Sequence, residues 1–145
     1  MKGWLLDTDI LSAFAPGRPG IPQGTAGWFD DHTEALYLSA ITAAEIEAGI
    51  AKLFRMGAAR RGDALRVWFD RILALYADRV LSFDLAAARL AGALTDAARA
   101  DRRYPGFADV AIAAIAKTRE LVVVTLNRRH FDPLGVEVFN PFASH

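Results

Sequence analysis

The sequence predicts one α/β domain, residues 1–145, with a central parallel sheet of about five strands flanked by helices. Three observations support this prediction. Short apolar runs alternate with longer segments of helical periodicity, an order that requires crossover connections between parallel strands. The length of 145 residues is that of one ordinary domain. Apolar residues make up 53% and charged residues 23%, which is typical of globular proteins and not of disordered ones.

Five segments are predicted to be strands because each is a short apolar run that ends at turn or polar residues. Consecutive strands are joined through helical segments, so we expect all five to run parallel. In chain order the predicted strands are Gly3–Leu6, Leu36–Ser39, Val80–Phe83, Leu121–Thr125 and Val136–Phe139.

Six segments are predicted to be helices, and residues 16–24 have the composition of a loop. The predicted helices are Asp9–Ala15, Thr25–His32, Thr42–Met56, Ala58–Tyr76, Leu85–Ala100 and Ala108–Lys117. The fourth helix has a wide apolar face that includes Trp68 and Phe69. We expect this face to pack in the core, with a dimer or partner groove as the alternative.

Composition restricts the kind of site that the chain can form. Cysteine is absent, so a metal would be held by oxygen or imidazole ligands, and Mg²⁺ or Mn²⁺ are the first candidates. A net charge of zero argues against a broad basic surface for nucleic acid, although a local basic patch remains possible. No apolar stretch approaches a membrane span, and Asp7 and Asp9 occupy positions where a signal peptide would be apolar. We expect a cytoplasmic protein without membrane contact.

Three carboxylates occupy positions that a folded sheet would bring together. Asp7 follows the first strand, Glu45 follows the second, and Asp109 opens a helix made almost entirely of Val, Ala and Ile. Open α/β sheets keep their sites at the carboxyl ends of the strands, so we expect the three side chains within reach of one metal. Alternatively, Asp7 caps the next helix, and Glu45 forms a capping box with Thr42.

Two further aspartates help to judge that expectation. Asp9 lies two residues after Asp7, so one of the pair is expected to be a ligand and the other a cap or an orienting group. Asp84 also follows a strand and precedes a helix, but has no other site residue near it, and we expect it to be only a cap. For Asp109 the helix dipole offers about 0.3–1 kcal/mol, less than the several kcal/mol that burying an unpaired carboxylate costs. We therefore favour a ligand role for Asp109.

Polar residues also follow the fourth strand. Thr125 and Asn127 are expected to orient a water or a phosphate there, with Arg128 or Arg129 nearby, although an Asn-capped turn is the alternative. His130, beside Phe131, is expected to pack. Three acids without histidine or cysteine suit a hard cation that keeps several waters, and phosphodiester hydrolysis by a metal-activated water is the natural chemistry.

These residues lie in four blocks that, in this order, resemble the motifs of PIN-domain ribonucleases, in particular the VapC and FitB toxins. The end of the chain, residues 138–142, also resembles FitB-type proteins. The four blocks are residues 5–12, 38–45, 109–114 and 124–131.

The resemblance implies a parallel sheet, acids that bind Mg²⁺ or Mn²⁺, cleavage of single-stranded RNA, homodimers, and inhibition by a small antitoxin that often also binds DNA. It makes Asp7, Glu45 and Asp109 the acidic residues and gives Thr125 and Asn127 supporting roles. The chain departs from the family in two ways. Asp9 stands where members usually have asparagine, and a fourth acid near Asn127 or His130 is missing, which puts a second metal site in doubt.

Two other functions remain open on the sequence. The run Asp7-Thr8-Asp9 at a strand end also resembles haloacid-dehalogenase-type phosphatases, in which the first aspartate is the nucleophile of a phosphotransferase. Those enzymes need a lysine near a late strand followed by further acids, whereas here Lys117 precedes the fourth strand and no acid pair follows. A non-catalytic PIN-like binding module is the third candidate, supported by the missing acid.

Overall fold

A computed structural model describes residues 2–143; residues 1, 144 and 145 of the predicted domain lie outside the described residues. The described chain forms a five-stranded, entirely parallel sheet in the order β3-β2-β1-β4-β5. This confirms the predicted α/β class. The strands are β1 (Gly3–Leu6), β2 (Leu36–Ser39), β3 (Val80–Leu81), β4 (Leu121–Val124) and β5 (Val138–Phe139). The helices are α1 (Thr8–Ser12), α2 (Gln23–Asp31), α3 (Ala40–Arg55), α4 (Ala59–Tyr76), α5 (Leu85–Ala100), α6 (Phe107–Thr118) and α7 (Arg128–Phe131).

Helices cover both faces of the sheet, as predicted. Successive residues of a strand point to opposite faces, so Leu5 joins one apolar core and Leu6 the other. Residues of α5 and α6 fill the first core, and residues of α1, α2, α3 and α4 fill the second. No helix within residues 2–143 is long and apolar enough to cross a membrane.

The chain reverses its direction of travel across the sheet between β1 and β4. From β1 it proceeds outward to β2 and β3, then returns to place β4 on the other side of β1. Leu5 of β1 is thereby paired with Tyr37 of β2 and with Val123 of β4. Parallel sheets bind ligands at such a switch point, beyond the carboxyl ends of the strands. Asp7 and Thr125 directly follow the two strands that flank it.

Several predicted boundaries differ from the observed ones. The edge strands β3 and β5 contain two residues each instead of four, and α2 begins inside the predicted loop. The helix α3 begins at Ala40, where the Oγ of Ser39 accepts a hydrogen bond of 3.0 Å from the backbone N–H of Thr42. The proposed capping box of Thr42 with Glu45 is therefore wrong. The helix α7 was not predicted.

The end of α4 offers a prediction about stability. Ala77 has φ 48° and ψ −115°, a conformation that only glycine adopts without strain. We expect Ala77→Gly to raise the free energy of unfolding by about 1 kcal/mol, or the melting temperature by about 2–4 °C. Urea and thermal unfolding measure the change.

The matched control is Ala74→Gly, one turn earlier. Ala74 is exposed within the regular part of the helix, where glycine costs about 0.5–1 kcal/mol. The two substitutions should change stability in opposite directions, and a loss of stability in both would show that Ala77 is not strained.

Candidate active site

Asp7 is held between the first helix and the fourth strand. Its backbone N–H donates to the carbonyl of Val124 at 2.9 Å, which extends the pairing of β1 with β4. Its Oδ1 caps α1 by accepting from the N–H of Thr8 at 2.8 Å, and its Oδ2 accepts from the hydroxyl of Thr125 at 2.9 Å. Only 6% of the residue is exposed. The cap and the site residue, which the sequence left as alternatives, are thus the same side chain.

Asp9 receives the polar groups that follow β4. Its Oδ2 accepts from the amide Nδ2 of Asn127 at 2.7 Å, the backbone N–H of Leu126 at 3.1 Å and the hydroxyl of Thr125 at 3.3 Å. Its Oδ1 is buried and has no hydrogen-bond partner, the sole such side-chain atom in residues 2–143. One residue of the pair Asp7 and Asp9 was expected to be a ligand and the other a cap or an orienting group, and the three contacts of Asp9 hold the residues after β4 against the start of α1.

Glu45 reaches the site from the first third of α3. Its Oε1 accepts from the hydroxyl of Thr8 at 2.5 Å, and that hydroxyl lies 2.9 Å from the hydroxyl of Thr42. These contacts connect α3 to the start of α1 directly below Asp7. Glu47, two positions further on, points elsewhere and pairs with Arg66 at 2.6 Å.

Asp109 lies in the first turn of α6, whose residues from Val110 to Ala116 are all buried, as predicted. Its Oδ2 is 3.5 Å from the Nδ1 of His130, an ion pair when the imidazole is protonated. The expectation that His130 packs in the interior is wrong. The short helix α7 buries Phe131 instead and leaves His130 exposed beside the acids.

Four acids therefore face one cleft at the switch point. Asp7, Asp9, Glu45 and Asp109 line a cavity of about 580 Å³ together with Asn127 and His130, and Thr125 lies beneath it. The predicted residues Asp7, Glu45, Asp109, Thr125 and Asn127 are thus brought together, and Asp9 and His130 are added.

Burial makes three of these carboxylates hard to ionise. Burial, reinforced by the charge of Asp9, raises the pKa of Asp7 to about 7. Burial also raises the pKa of Asp9. Burial raises the pKa of Asp109 as well, with an opposing effect of His130 and further increases from the charges of Glu45 and Asp9. Asp7 and Asp109 thus both respond to the charges of neighbouring acids across the cleft.

The donor set matches a hard cation. All ligating groups other than His130 are oxygen donors, which Mg²⁺ and Mn²⁺ prefer. The buried Oδ1 of Asp9 lacks any donor, and a cation would offset that cost. As the residues between 2 and 143 are positioned, no three histidine, aspartate or glutamate side chains form a group that could hold a metal ion. The metal assignment of Asp7, Glu45 and Asp109 therefore stays a prediction.

An apolar groove, here called the Trp68 groove, adjoins the acidic cleft. Ser12 and Arg18 line both the cleft and the neighbouring cavity, and Trp68 lines that cavity and the next two. The groove continues to Leu75, which is 71% exposed. Phe69, in contrast, is fully buried. The apolar face of α4 thus contributes to both the core and a groove, the two alternatives raised by the sequence.

Comparison with known proteins places the chain in a family. The family model described as PIN domain matches residues 4–135. The chain is 35% identical over 140 residues to Toxin FitB of Neisseria gonorrhoeae, covering 95% of this chain and 97% of that protein. It is 34% identical over 140 residues to VapC ribonuclease Y4jK of Sinorhizobium fredii, with coverage of 95% and 96%. The crystal structure of FitAcB from Neisseria gonorrhoeae superposes with a TM-score of 0.84 at 34% identity, covering 97% of this chain and 99% of that one. The chain belongs to the PIN domain family.

Proposed function

We propose that this protein is a metal-dependent endoribonuclease and the toxin of a toxin–antitoxin pair acting in the cytoplasm. The observation that carries the proposal is the convergence of Asp7, Asp9, Glu45 and Asp109 on one open cleft at the switch point of the sheet. Two similar proteins, one named a toxin and the other a ribonuclease, support it.

In this proposal Asp7, Glu45 and Asp109 hold Mg²⁺ or Mn²⁺. When bound, the cation supplies a Lewis acid that neutralises phosphate charge and makes a water more acidic. The chain itself keeps the acids in position. Thr125 donates to Asp7, and Asn127 fixes Asp9 through its amide. The acid that the family resemblance leads one to expect near Asn127 or His130 is missing, which leaves one cation as the simplest stoichiometry, with Asp9 as a further carboxylate in the cleft.

A phosphotransferase has less support. The ammonium of Lys117 donates to the carbonyl of Gly135 at 3.0 Å, and the residue does not line the acidic cleft. One observation favours a non-catalytic module, namely that no three histidine, aspartate or glutamate side chains within residues 2–143 are positioned to hold a metal ion. Against that module, all four acids line one opening.

A panel of substrates tests the proposed function. The protein is incubated with single-stranded RNA, double-stranded RNA, single-stranded DNA or a small phosphomonoester. Each substrate is tested in three separate conditions, which contain Mg²⁺, Mn²⁺ or EDTA. We expect cleavage of single-stranded RNA that depends on the cation. Hydrolysis of the phosphomonoester alone would support the phosphotransferase, and no turnover of any substrate with either cation would support a binding module.

The Trp68 groove and the acidic cleft together suit an inhibitory partner, which we propose is the antitoxin. An apolar segment would occupy the groove, and a basic side chain, preferably arginine, would extend past Ser12 into the cleft and pair with Asp7 or Asp109. In this proposal DNA is contacted only through the antitoxin, and the toxin is a homodimer within a larger assembly.

Competition between that arginine and the cation gives a prediction. Saturating Mg²⁺ should weaken inhibition by the co-encoded antitoxin, because both occupy the same carboxylates. Titration of the antitoxin against RNA cleavage at low and high Mg²⁺ measures the effect. Trp68→Ala removes an aromatic side chain from the groove, where it also packs on the second core, and should weaken inhibition at least about tenfold at both concentrations. The thermal unfolding midpoint of this variant verifies that the fold is intact. Equal inhibition at low and high Mg²⁺ would mean that the antitoxin closes the site by shape alone.

A further inference from the structure

A second cleft opens on the far side of Asp109 from the Trp68 groove. It is lined by Arg103, Tyr104, Arg129 and Pro133, and it shares Gly106, Asp109 and His130 with the acidic cleft. We call it the basic cleft. The two openings meet at Asp109, so a polymer bound in one could continue into the other.

The end of α5 sets the course of the backbone on one side of the basic cleft. Past the end of α5, the N–H of Arg102 donates to the carbonyl of Arg99 at 2.9 Å, and the N–H of Arg103 donates to that of Ala98 at 2.8 Å. This pair of bonds, with Arg102 at φ 57°, is a Schellman motif. It fixes the direction in which Arg103 and Tyr104 leave the helix. Arg129 enters from α7 on the opposite wall.

The cations of this cleft have no protein partner. Within residues 2–143, the guanidinium groups of Arg103 and Arg129 form neither an ion pair nor a side-chain hydrogen bond. Other exposed arginines, such as Arg89 on α5, also lack a partner in the described chain. What distinguishes Arg103 and Arg129 is their position in a cleft that opens on the acids, and two cations placed there favour a ligand with negative charge.

An exposed aromatic ring lines the basic cleft beside those cations. Tyr104 is 76% exposed and makes no ring contact with another aromatic residue of the described chain. Planar guanidinium groups bind phosphates through paired hydrogen bonds. Exposed aromatic rings stack on unpaired bases, and such a combination is typical of single-strand binding sites. Double-stranded RNA cannot use the ring, because its bases are already paired and stacked.

We propose that the basic cleft binds the nucleotide next to the scissile phosphate of a single-stranded RNA. Arg103 and Arg129 bind its phosphates, and Tyr104 stacks on its base. This inference rests on the proposed function, since the scissile phosphate is assigned to the acidic cleft. It gives the enzyme a preference for unpaired RNA that the acids alone do not provide.

Binding is measured separately from cleavage. A fluorescein-labelled single-stranded oligoribonucleotide is titrated by anisotropy in EDTA, without cation, at several salt concentrations. Three variants are compared with the wild-type protein: Arg103→Gln, Arg129→Gln and Tyr104→Ala. Two further single variants, Tyr104→Phe and Arg89→Gln, are the controls. Arg89 is exposed on α5 and lines none of the clefts described.

Tyr104→Ala should weaken binding about tenfold, and Tyr104→Phe, which keeps the ring, should leave it near the wild-type value. Each arginine variant should reduce the slope of log affinity against log salt by about 0.7, the value for one phosphate on a single strand. Arg89→Gln should change neither quantity. Binding of an RNA duplex should not respond to Tyr104→Ala.

The proposal is overturned if the three variants bind the oligonucleotide as Arg89→Gln does. It is also overturned if they bind RNA normally but resist the antitoxin, because the cleft would then be a protein-docking surface. Failure of the proposed function has a different signature, namely that the wild-type protein cleaves no RNA in the substrate panel. The thermal unfolding midpoint of each variant verifies that the fold is intact.

Discussion

Replacement of Asp109 by asparagine should lower Mg²⁺-dependent RNA cleavage by at least about tenfold while the fold persists. The carboxylate contributes charge to the proposed cation site, and its sole ion pair in the described residues is a contact of 3.5 Å with His130. Burial raises the pKa of Asp109, which means that its charge opposes folding. A neutral side chain of the same shape should therefore leave stability unchanged or improve it.

Asp84→Asn is the matched control for this substitution. The Oδ1 of Asp84 caps α5 by accepting from the N–H of Ala87 at 2.9 Å, as its sequence context predicted. Asparagine caps a helix about as well as aspartate, so the control should keep both fold and activity. Initial rates over a Mg²⁺ titration compare the variants. A similar loss in both would remove the distinction between a ligand and a cap.

The second large effect concerns stability and pH. The melting temperature of the metal-free protein should fall by about 5 °C or more between pH 5 and pH 8. The pKa of Asp7 is about 7 in the folded protein, whereas the ordinary pKa of this carboxyl is 3.8. A raised pKa means that the folded state binds more protons than the unfolded state between these values. The stability from Asp7 is therefore complete below about pH 4 and is lost as the pH rises through 7.

Asp7→Asn tests the origin of this dependence. Its Oδ1 can still cap α1, while its amide faces the hydroxyl of Thr125, which can donate to Asp9 instead. The variant should show a much flatter profile. Mg²⁺ should raise the melting temperature of the wild-type protein more at pH 8 than at pH 5, because it binds the ionised acids. A melting temperature that increases from pH 5 to pH 8 without metal would show that other groups dominate.

The central elements of the fold could be predicted from sequence because they are specified locally. The strands β1 and β2 are bounded by Asp7 and Ser39, residues that end an apolar run and cap a helix. The edge strands β3 and β5 were predicted too long, because apolar residues such as Phe83 and Val136 pack on the core without strand pairing. The four residues of α7 are too few to produce a helical period.

Some residues of the candidate site could also be predicted from their local sequence, and others could not. The apolar context of Asp109 was enough to identify it, since a charge at the head of a buried helix requires compensation. The roles of Asp9 and His130 depend on where the residues after β4 lie relative to α1, and that follows from a pairing between segments more than 100 positions apart. A sequence pattern does not show how close in space two segments so far apart in the chain will lie.

The central position of β1 also sets the order in which the molecule can form during translation. The segment around Asp7 is synthesised well before its hydrogen-bond partner Thr125, which follows 118 positions later. Contacts of such separation form late, because a long loop must close before they contribute. A nascent chain therefore lacks the switch point, and with it Asp109 and Asn127, until residues 109–127 have left the ribosome. The proposed cleavage of RNA is thereby delayed until the segment that completes the site has been translated.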